Sequence, residues 1–303
     1  MGDRETFERR RAQLVEVVTS SGGNVVPADK ANALMWLSVD NPSPVVTLLN
    51  ENPGITWVQL PWAGVENFAA AGLFSRPITF TCAKGAYGGQ VGEHALMLIM
   101  TSLRHVTEQA RTLEWHRTEP ELLEGKRVTV LGAGGITTSL VRFLRAADCD
   151  ITVLRRSAAD FPGATRTLPI SELHAVLPDT EILVLALALT PETTQIIGAK
   201  ELALLPPNAV LVNVARGSHV DTGPLVDALK NGQLAAAGLD VTDPEPLPKD
   251  HPLWSFDNVL ITSHCADSQA YVTEKLAERL QENVIRFQDG EPLVGQVDLS
   301  AGY

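Results

Sequence analysis

The second half of the chain alternates short β-branched or apolar runs with stretches of helical pattern. The apolar runs lie at 128–131, 151–154, 182–187, 209–214, 235–239 and 259–261. Such alternation is typical of βα units, which build a mainly parallel sheet covered by helices on both faces. We therefore predict an α/β fold with a doubly wound parallel sheet.

The first part of the chain alternates in a similar way, and two long candidate helices border the second part. We predict the shorter elements at 7–20 and 44–49 (helices) and at 33–37, 57–60 and 78–81 (strands). The long helices are predicted at 90–113 and 268–288. This pattern indicates two domains, one made of residues 1–92 plus 270–303 and the other of residues 93–269.

Charge and cysteine content exclude several classes of function. The 24 Lys and Arg against 36 Asp and Glu give a net charge of −12, which repels nucleic acid and anionic membrane surfaces. Three cysteines give no disulfide framework, the amino terminus lacks a signal-peptide core, and the apolar run 182–189 is too short to span a bilayer. We expect a cytoplasmic protein without nucleic-acid or membrane partners, and we predict no metal site.

A glycine-rich turn follows the first apolar run. Gly132, Gly134 and Gly135 stand between that run and a helical stretch at 139–147. Glycines there permit a tight turn and let the backbone approach a pyrophosphate at the amino end of the helix. The third position of the pattern usually holds Gly or Ala, so the branched Thr137 is expected to push the helix outward a little. We predict a dinucleotide site at this turn.

The end of the next strand indicates which dinucleotide is bound. NAD enzymes place an Asp or Glu there, which accepts a hydrogen bond from the ribose 2′-hydroxyl. This chain has Arg155, Arg156 and Ser157 instead, and these side chains suit a 2′-phosphate. We predict NADP as the preferred cofactor, with NAD as the alternative.

An arginine, a carboxylate and a histidine follow three further predicted strands. They are Arg216, Glu245 and His264, and in open α/β sheets the ligand crevice lies beyond the carboxyl ends of the strands. Hydride transfer to a keto carbon builds negative charge on the oxygen, and a histidine can protonate it. A glutamate bonded to the far ring nitrogen fixes the tautomer and favours the imidazolium form. An arginine gives a carboxylate a forked, permanently charged partner. The trio therefore predicts a site that binds and reduces a 2-oxo acid.

The motifs around these residues resemble those of the D-isomer-specific 2-hydroxyacid dehydrogenases, the family that includes glyoxylate and hydroxypyruvate reductases. The matching motifs are Asn-x-x-Arg-Gly at 213–217, Asp-Val-x-x-x-Glu-Pro at 240–246 and a strand followed by His at 259–264. The resemblance extends from about residue 57 to the carboxyl-terminal residues. It implies two Rossmann-like domains, 1–92 plus 270–303 for the substrate and 93–269 for the dinucleotide, with the active site in the interdomain cleft.

The resemblance also implies an activity and further site residues. The activity is NAD(P)H-dependent reduction of a small 2-oxo acid to the D-2-hydroxy acid, in which Arg216 binds the carboxylate, His264 donates the proton and Glu245 orients His264. The further cofactor contacts that it implies are Ile136, Leu187, Thr190, Val214, Ala215 and Asp240. The implied substrate loop contains Trp62, Ala63 and Gly64, where backbone N–H groups hold the carboxylate and Trp62 limits the size of the substrate. A homodimer is expected.

One departure and two alternatives stay open. The family usually begins with a strand, whereas residues 4–20 have a helical pattern, so that strand is either absent or replaced. Lys84 and Tyr87 stand near the expected site without a predicted role. A different dehydrogenase on the same scaffold, acting on a phosphorylated hydroxyacid or on formate, is one alternative. A nucleotide-sensing binding protein without significant turnover is the other.

Overall fold

The computed structural model describes residues 2–38, 42–157 and 159–299. The chain divides into two compact units, the first formed by Met1–Tyr87 with Ser268–Tyr303 and the second by Gly88–Asp267. The predicted domain bounds differ from these by a few residues. The assignment of the first unit to the substrate and of the second to the dinucleotide stays a prediction.

The described residues form the following regular elements. The helices are α1 Gly2–Ser20, α2 Ser43–Glu51, α3 Glu66–Ala70, α4 Gly88–Leu103, α5 Val106–Arg111, α6 Gly135–Arg145, α7 Leu173–Val176, α8 Ala199–Leu204, α9 Thr222–Lys230 and α10 Gln269–Asp289. The strands are β1 Ala33–Met35, β2 Trp57–Gln59, β3 Thr79–Thr81, β4 Arg127–Leu131, β5 Asp150–Arg155, β6 Arg166–Pro169, β7 Ile182–Leu185, β8 Val210–Asn213, β9 Ala236–Leu239 and β10 Val259–Ile261.

Among the described residues, the first unit contains a parallel sheet in the order β1-β2-β3. Helix α1 packs against α10, which begins after the cap Ser268 and ends at Gly290 in a left-handed conformation with φ 70°. Between α1 and β1 the described residues contain a short 3₁₀ helix, Ala28–Lys30, and no strand. Within the described residues, helix α1 therefore precedes the first strand, β1.

The second unit contains, within the described residues, a parallel sheet in the order β10-β9-β8-β7-β4-β5-β6. The order reverses direction between β4 and β7, which is the switch point where doubly wound sheets bind ligands. Successive residues of a strand point to opposite faces, so Leu211 and Val212 of β8 belong to different apolar cores. The predicted doubly wound α/β fold is confirmed.

One sequence prediction in this unit was wrong, and one strand was missed. The helix predicted at 90–113 is divided into α4 and α5, because His105 between them adopts a left-handed conformation with φ 52°. Strand β6 was not predicted, since its sequence Arg-Thr-Leu-Pro lacks an apolar run and it lies at the edge of the sheet.

Helices α4 and α6 approach each other closely through glycines. A Cβ atom on Gly88 would lie 2.3 Å from the carbonyl carbon of Gly135, and one on Gly92 would lie 2.7 Å from the Ser139 side chain. Neither position has room for a side chain. The contact therefore fixes where α6 begins relative to α4.

Candidate active site

The turn after β4 has the shape that a dinucleotide requires. Gly132 has φ +108°, and a Cβ atom there would lie 2.3 Å from the Ala186 carbonyl oxygen, so only glycine fits. Gly134 caps α6 in an extended conformation, and a Cβ atom there would meet nothing within 4 Å. Gly134 at the amino end of α6 is thus open and fits a pyrophosphate group, and the half-buried Gly135 and Ile136 begin the helix behind it.

Thr137 has a role that the glycine pattern did not predict. Its side chain is fully buried, and its Oγ1 donates to the Gly132 carbonyl oxygen at 2.8 Å. The hydroxyl therefore ties the first turn of α6 to the turn that precedes it.

The end of β5 presents the predicted arginines. Arg155 is half-buried, and its Nη1 donates to the Ala159 carbonyl oxygen at 3.2 Å, whereas Arg156 and Ser157 are exposed. Arg155 ends β5, the strand next to β4, and Arg156 and Ser157 follow it, on the side of the switch point where a ribose would lie.

The segment after β7, which contains Leu187 and Thr190, is held by a residue that sequence reasoning missed. The buried imidazole of His219 places Nδ1 2.9 Å from the Thr193 carbonyl oxygen and Nε2 3.3 Å from the Leu187 carbonyl oxygen. His219 thus links the loop after β8 to the predicted cofactor loop after β7.

Arg216 is placed by the buried Asn213 at the end of β8. Asn213 Nδ2 donates to the Arg216 carbonyl oxygen at 2.8 Å, and its Oδ1 accepts from the Ala215 amide at 3.0 Å. Val214 and Ala215 are buried, while Arg216 is half-buried and its Nη1 donates to the Ala215 carbonyl oxygen at 2.8 Å. The Asn213 side chain therefore fixes the backbone between the end of β8 and Arg216.

His264 and Glu245 form the predicted pair. His264 Nδ1 lies 2.7 Å from Glu245 Oε1, and about half of each side chain is exposed. A carboxylate accepts, so Nδ1 carries the hydrogen and Nε2 takes no part in this contact. The His264 backbone has φ 49°, and its amide donates to the Asp240 carbonyl oxygen at 2.8 Å.

Asp240 lies at the centre of a buried hydrogen-bond network. Its Oδ1 accepts from Thr262 Oγ1 at 2.6 Å and from the Cys265 amide at 3.0 Å, while Oδ2 accepts from the Ala266 amide at 3.3 Å. His94 Nε2 of α4 lies 3.3 Å from Oδ1. Burial alone raises the pKa of Asp240, but the hydrogen bonds from His94, Thr262 and the Cys265 amide, with the charge of His94, outweigh it and lower the pKa to about 2.

In the first unit, the predicted substrate loop is braced by aromatic and cationic side chains. The ring of Trp62 meets that of Tyr87 edge-on at 5.8 Å between centroids, and the Arg10 guanidinium carbon lies 5.7 Å from the centre of the Trp62 ring. Tyr87 donates to the Pro61 carbonyl oxygen at 2.8 Å. Ala63 is exposed and Gly64 is half-buried, as is Lys84.

The structure thus joins His264 to Glu245 directly and sets the other predicted residues of the second unit at the carboxyl ends of neighbouring strands. Sequence reasoning missed His94 and His219. A signal for His94 existed, because it stands at an apolar-face position of α4, between Val91 and Leu98, and a polar group there needs a partner. The roles assigned to the site residues stay predictions.

A parallel sheet that reverses its order beside a glycine turn and an open helix terminus defines a Rossmann-type, NAD(P)-binding protein. The family model described as "D-isomer specific 2-hydroxyacid dehydrogenase, NAD binding domain" matches residues 94–266. The chain belongs to the D-isomer-specific 2-hydroxyacid dehydrogenase family, whose members are NAD(P)-dependent oxidoreductases.

Individual relatives agree with this membership. A glyoxylate reductase of Pyrococcus furiosus is 33% identical over 245 residues, which cover 75% of this chain and 71% of the relative. A D-isomer-specific 2-hydroxyacid dehydrogenase of Xanthobacter autotrophicus, solved with NADPH and MES, is 28% identical with a TM-score of 0.81, covering 97% of this chain and 95% of the other. An NADPH-dependent glyoxylate/hydroxypyruvate reductase of Sinorhizobium meliloti, solved with NADP and sulfate, is 26% identical with a TM-score of 0.78, covering 95% and 96%.

Within the described ranges, 2–38, 42–157 and 159–299, none of the helices combines the length and the apolar character of a transmembrane span.

Proposed function

We propose that the protein reduces a small 2-oxo acid, such as glyoxylate or hydroxypyruvate, to the D-2-hydroxy acid with NADPH as the preferred reductant. The hydrogen bond of 2.7 Å between His264 Nδ1 and Glu245 Oε1 carries this proposal, because it engages Nδ1 and leaves Nε2 of the doubly protonated ring as the nitrogen that can give a proton to a substrate. Family membership and the NADPH and NADP complexes of the two structural relatives support it.

The dinucleotide would be held by the turn at Gly132 and by the open amino end of α6, with Arg155, Arg156 and Ser157 against a 2′-phosphate. Bound NADPH supplies the hydride. Leu187, Thr190, Val214, Ala215 and Asp240 follow β7, β8 and β9, on the side of the switch point where the nicotinamide would lie.

His264 donates a proton from Nε2 to the carbonyl oxygen as negative charge develops there. Glu245 accepts from Nδ1–H of His264 and so orients the ring. Arg216 binds the substrate carboxylate through its forked guanidinium group. From the family resemblance we also propose that the backbone N–H groups of Ala63 and Gly64 contact the substrate and that Trp62 limits its size.

The test is the oxidation of NADPH and NADH, followed by the absorbance of the reduced cofactor, with glyoxylate, hydroxypyruvate, pyruvate and phenylpyruvate. We expect turnover of glyoxylate and hydroxypyruvate, with NADPH preferred. Binding of NADPH without turnover of any of these acids would contradict the proposal and favour the nucleotide-sensing alternative.

Replacement of the proposed proton donor gives a sharper test. We expect His264→Gln to lower kcat by roughly 10²–10⁴, with a modest change in KM, because glutamine cannot transfer the proton. His174→Gln is the matched control, since His174 also contacts a glutamate, Glu201, at 2.6 Å, but lies on α7. A near-normal kcat for His264→Gln would remove His264 from the mechanism.

We also propose that the protein is a cytoplasmic homodimer. The free thiols of Cys82, Cys149 and Cys265 favour a reducing compartment. The exposed side chains of Leu113 and Trp115, which follow α5, favour association through this part of the second unit.

A further inference from the structure

Helix α4 contributes a histidine to the network around Asp240. His94 is 14% exposed, and its Nε2 lies 3.0 Å from Thr262 Oγ1 and 3.3 Å from Asp240 Oδ1. Both oxygens are acceptors for a ring N–H, because the Thr262 hydroxyl hydrogen is directed to Asp240 Oδ1 at 2.6 Å. His94 therefore closes a triangle of polar side chains within the second unit.

The same carboxylate holds the segment that carries His264. The amides of Cys265 and Ala266 donate to Asp240 Oδ1 and Oδ2, and the His264 amide donates to the Asp240 carbonyl oxygen. Three consecutive residues are thus attached to one aspartate. His264 has φ 49°, a conformation that a residue with a side chain keeps only when its surroundings impose it.

The position of α4 is itself closely fixed. It packs against α6 and against β8, β9 and β10. A Cβ atom on Gly238 of β9 would lie 2.8 Å from Leu98 Cβ, so helix and sheet are in contact one turn beyond His94. Because α4 is held in place, the His94 imidazole has a fixed position beside the Asp240 carboxylate.

We propose that His94 is a positioning residue for His264. Through Thr262 and Asp240 it fixes the backbone of residues 264–266, and thereby the direction in which the His264 ring presents Nε2. This inference rests on the proposed function for its kinetic consequence. Its structural consequence, the order of the 264–266 backbone, is measurable without turnover.

The experiment compares wild type, His94→Leu, His94→Gln and Thr262→Val, with His174→Gln as the control. We expect His94→Leu and Thr262→Val to lower kcat by about 10–100-fold with little change in the KM for the 2-oxo acid, because a small misplacement of a proton donor slows the chemical step. His94→Gln should recover part of this loss, since its amide N–H₂ can donate to the same oxygens. A role confined to stability would lower the melting temperature and leave kcat per folded molecule unchanged.

Amide hydrogen exchange at Cys265 and Ala266, measured without cofactor or substrate, separates the two hypotheses. We expect faster exchange of both amides in His94→Leu and wild-type exchange in His174→Gln. Unchanged exchange in His94→Leu and Thr262→Val overturns the positioning role, whether or not the protein turns over a 2-oxo acid. If wild type shows no turnover but both amides exchange faster in His94→Leu, the proposed function is overturned, and the result still supports the role of His94 in holding residues 264–266.

Discussion

At the residue scale, the carboxyl of Asp240 is the group whose ionisation the fold changes most clearly. Its pKa falls from 3.8 to about 2. Because the folded pKa is below the ordinary value, the carboxylate stabilises the fold above about pH 4, and this contribution is lost as the pH falls towards 2. We expect Asp240→Asn to lower the free energy of unfolding at pH 7 by at least about 2 kcal/mol.

Urea unfolding at a series of pH values measures this effect. The stability difference between wild type and Asp240→Asn should shrink between pH 4 and pH 2, because the carboxylate is protonated over this interval. Asp250→Asn, at an exposed position, provides the control. A difference that stays constant over the interval would contradict the assignment.

At the element scale, the glycine at the α4–α6 contact has no room for a side chain, whereas the glycine at the amino end of α6 has free space around it. Gly88→Ala would place a methyl group 2.3 Å from the backbone of Gly135, so α6 must move, and we expect a loss of about 1–3 kcal/mol in stability. Gly134→Ala meets nothing within 4 Å and keeps an ordinary backbone conformation. It should leave the melting temperature nearly unchanged and weaken NADPH binding, because the methyl group occupies the space of the pyrophosphate.

Thermal unfolding and NADPH titration of both variants measure this contrast. Gly134→Ala with wild-type NADPH affinity would show that the pyrophosphate does not approach this end of α6. Gly88→Ala with wild-type stability would show that α4 and α6 can move apart with little loss of stability.

Elements with strong local patterns could be predicted from the sequence, and elements that depend on distant contacts could not. Strand β10 was predicted at its observed bounds, because three apolar residues end at a polar turn. The division of α4 from α5 has no Gly or Pro to mark it. The same holds for the candidate site. Glu245 and His264 lie in recognisable motifs and could be predicted, whereas His94 could not, because its partners Asp240 and Thr262 lie far along the chain.

At the scale of the whole molecule, the exposed apolar residues after α5 predict the state of association. Leu113 and Trp115 are exposed as fully as in an extended chain, at 104% and 100%. Burying both side chains against a second copy would contribute about 3–6 kcal/mol before the costs of association.

We expect wild type to sediment as a dimer and the double variant Leu113→Ser, Trp115→Ser to shift towards the monomer at the same concentration. Phe7→Ser, an exposed aromatic position on α1, is the control and should stay dimeric. Sedimentation velocity over a range of concentrations decides the question, and a monomeric wild type throughout would contradict the proposed homodimer.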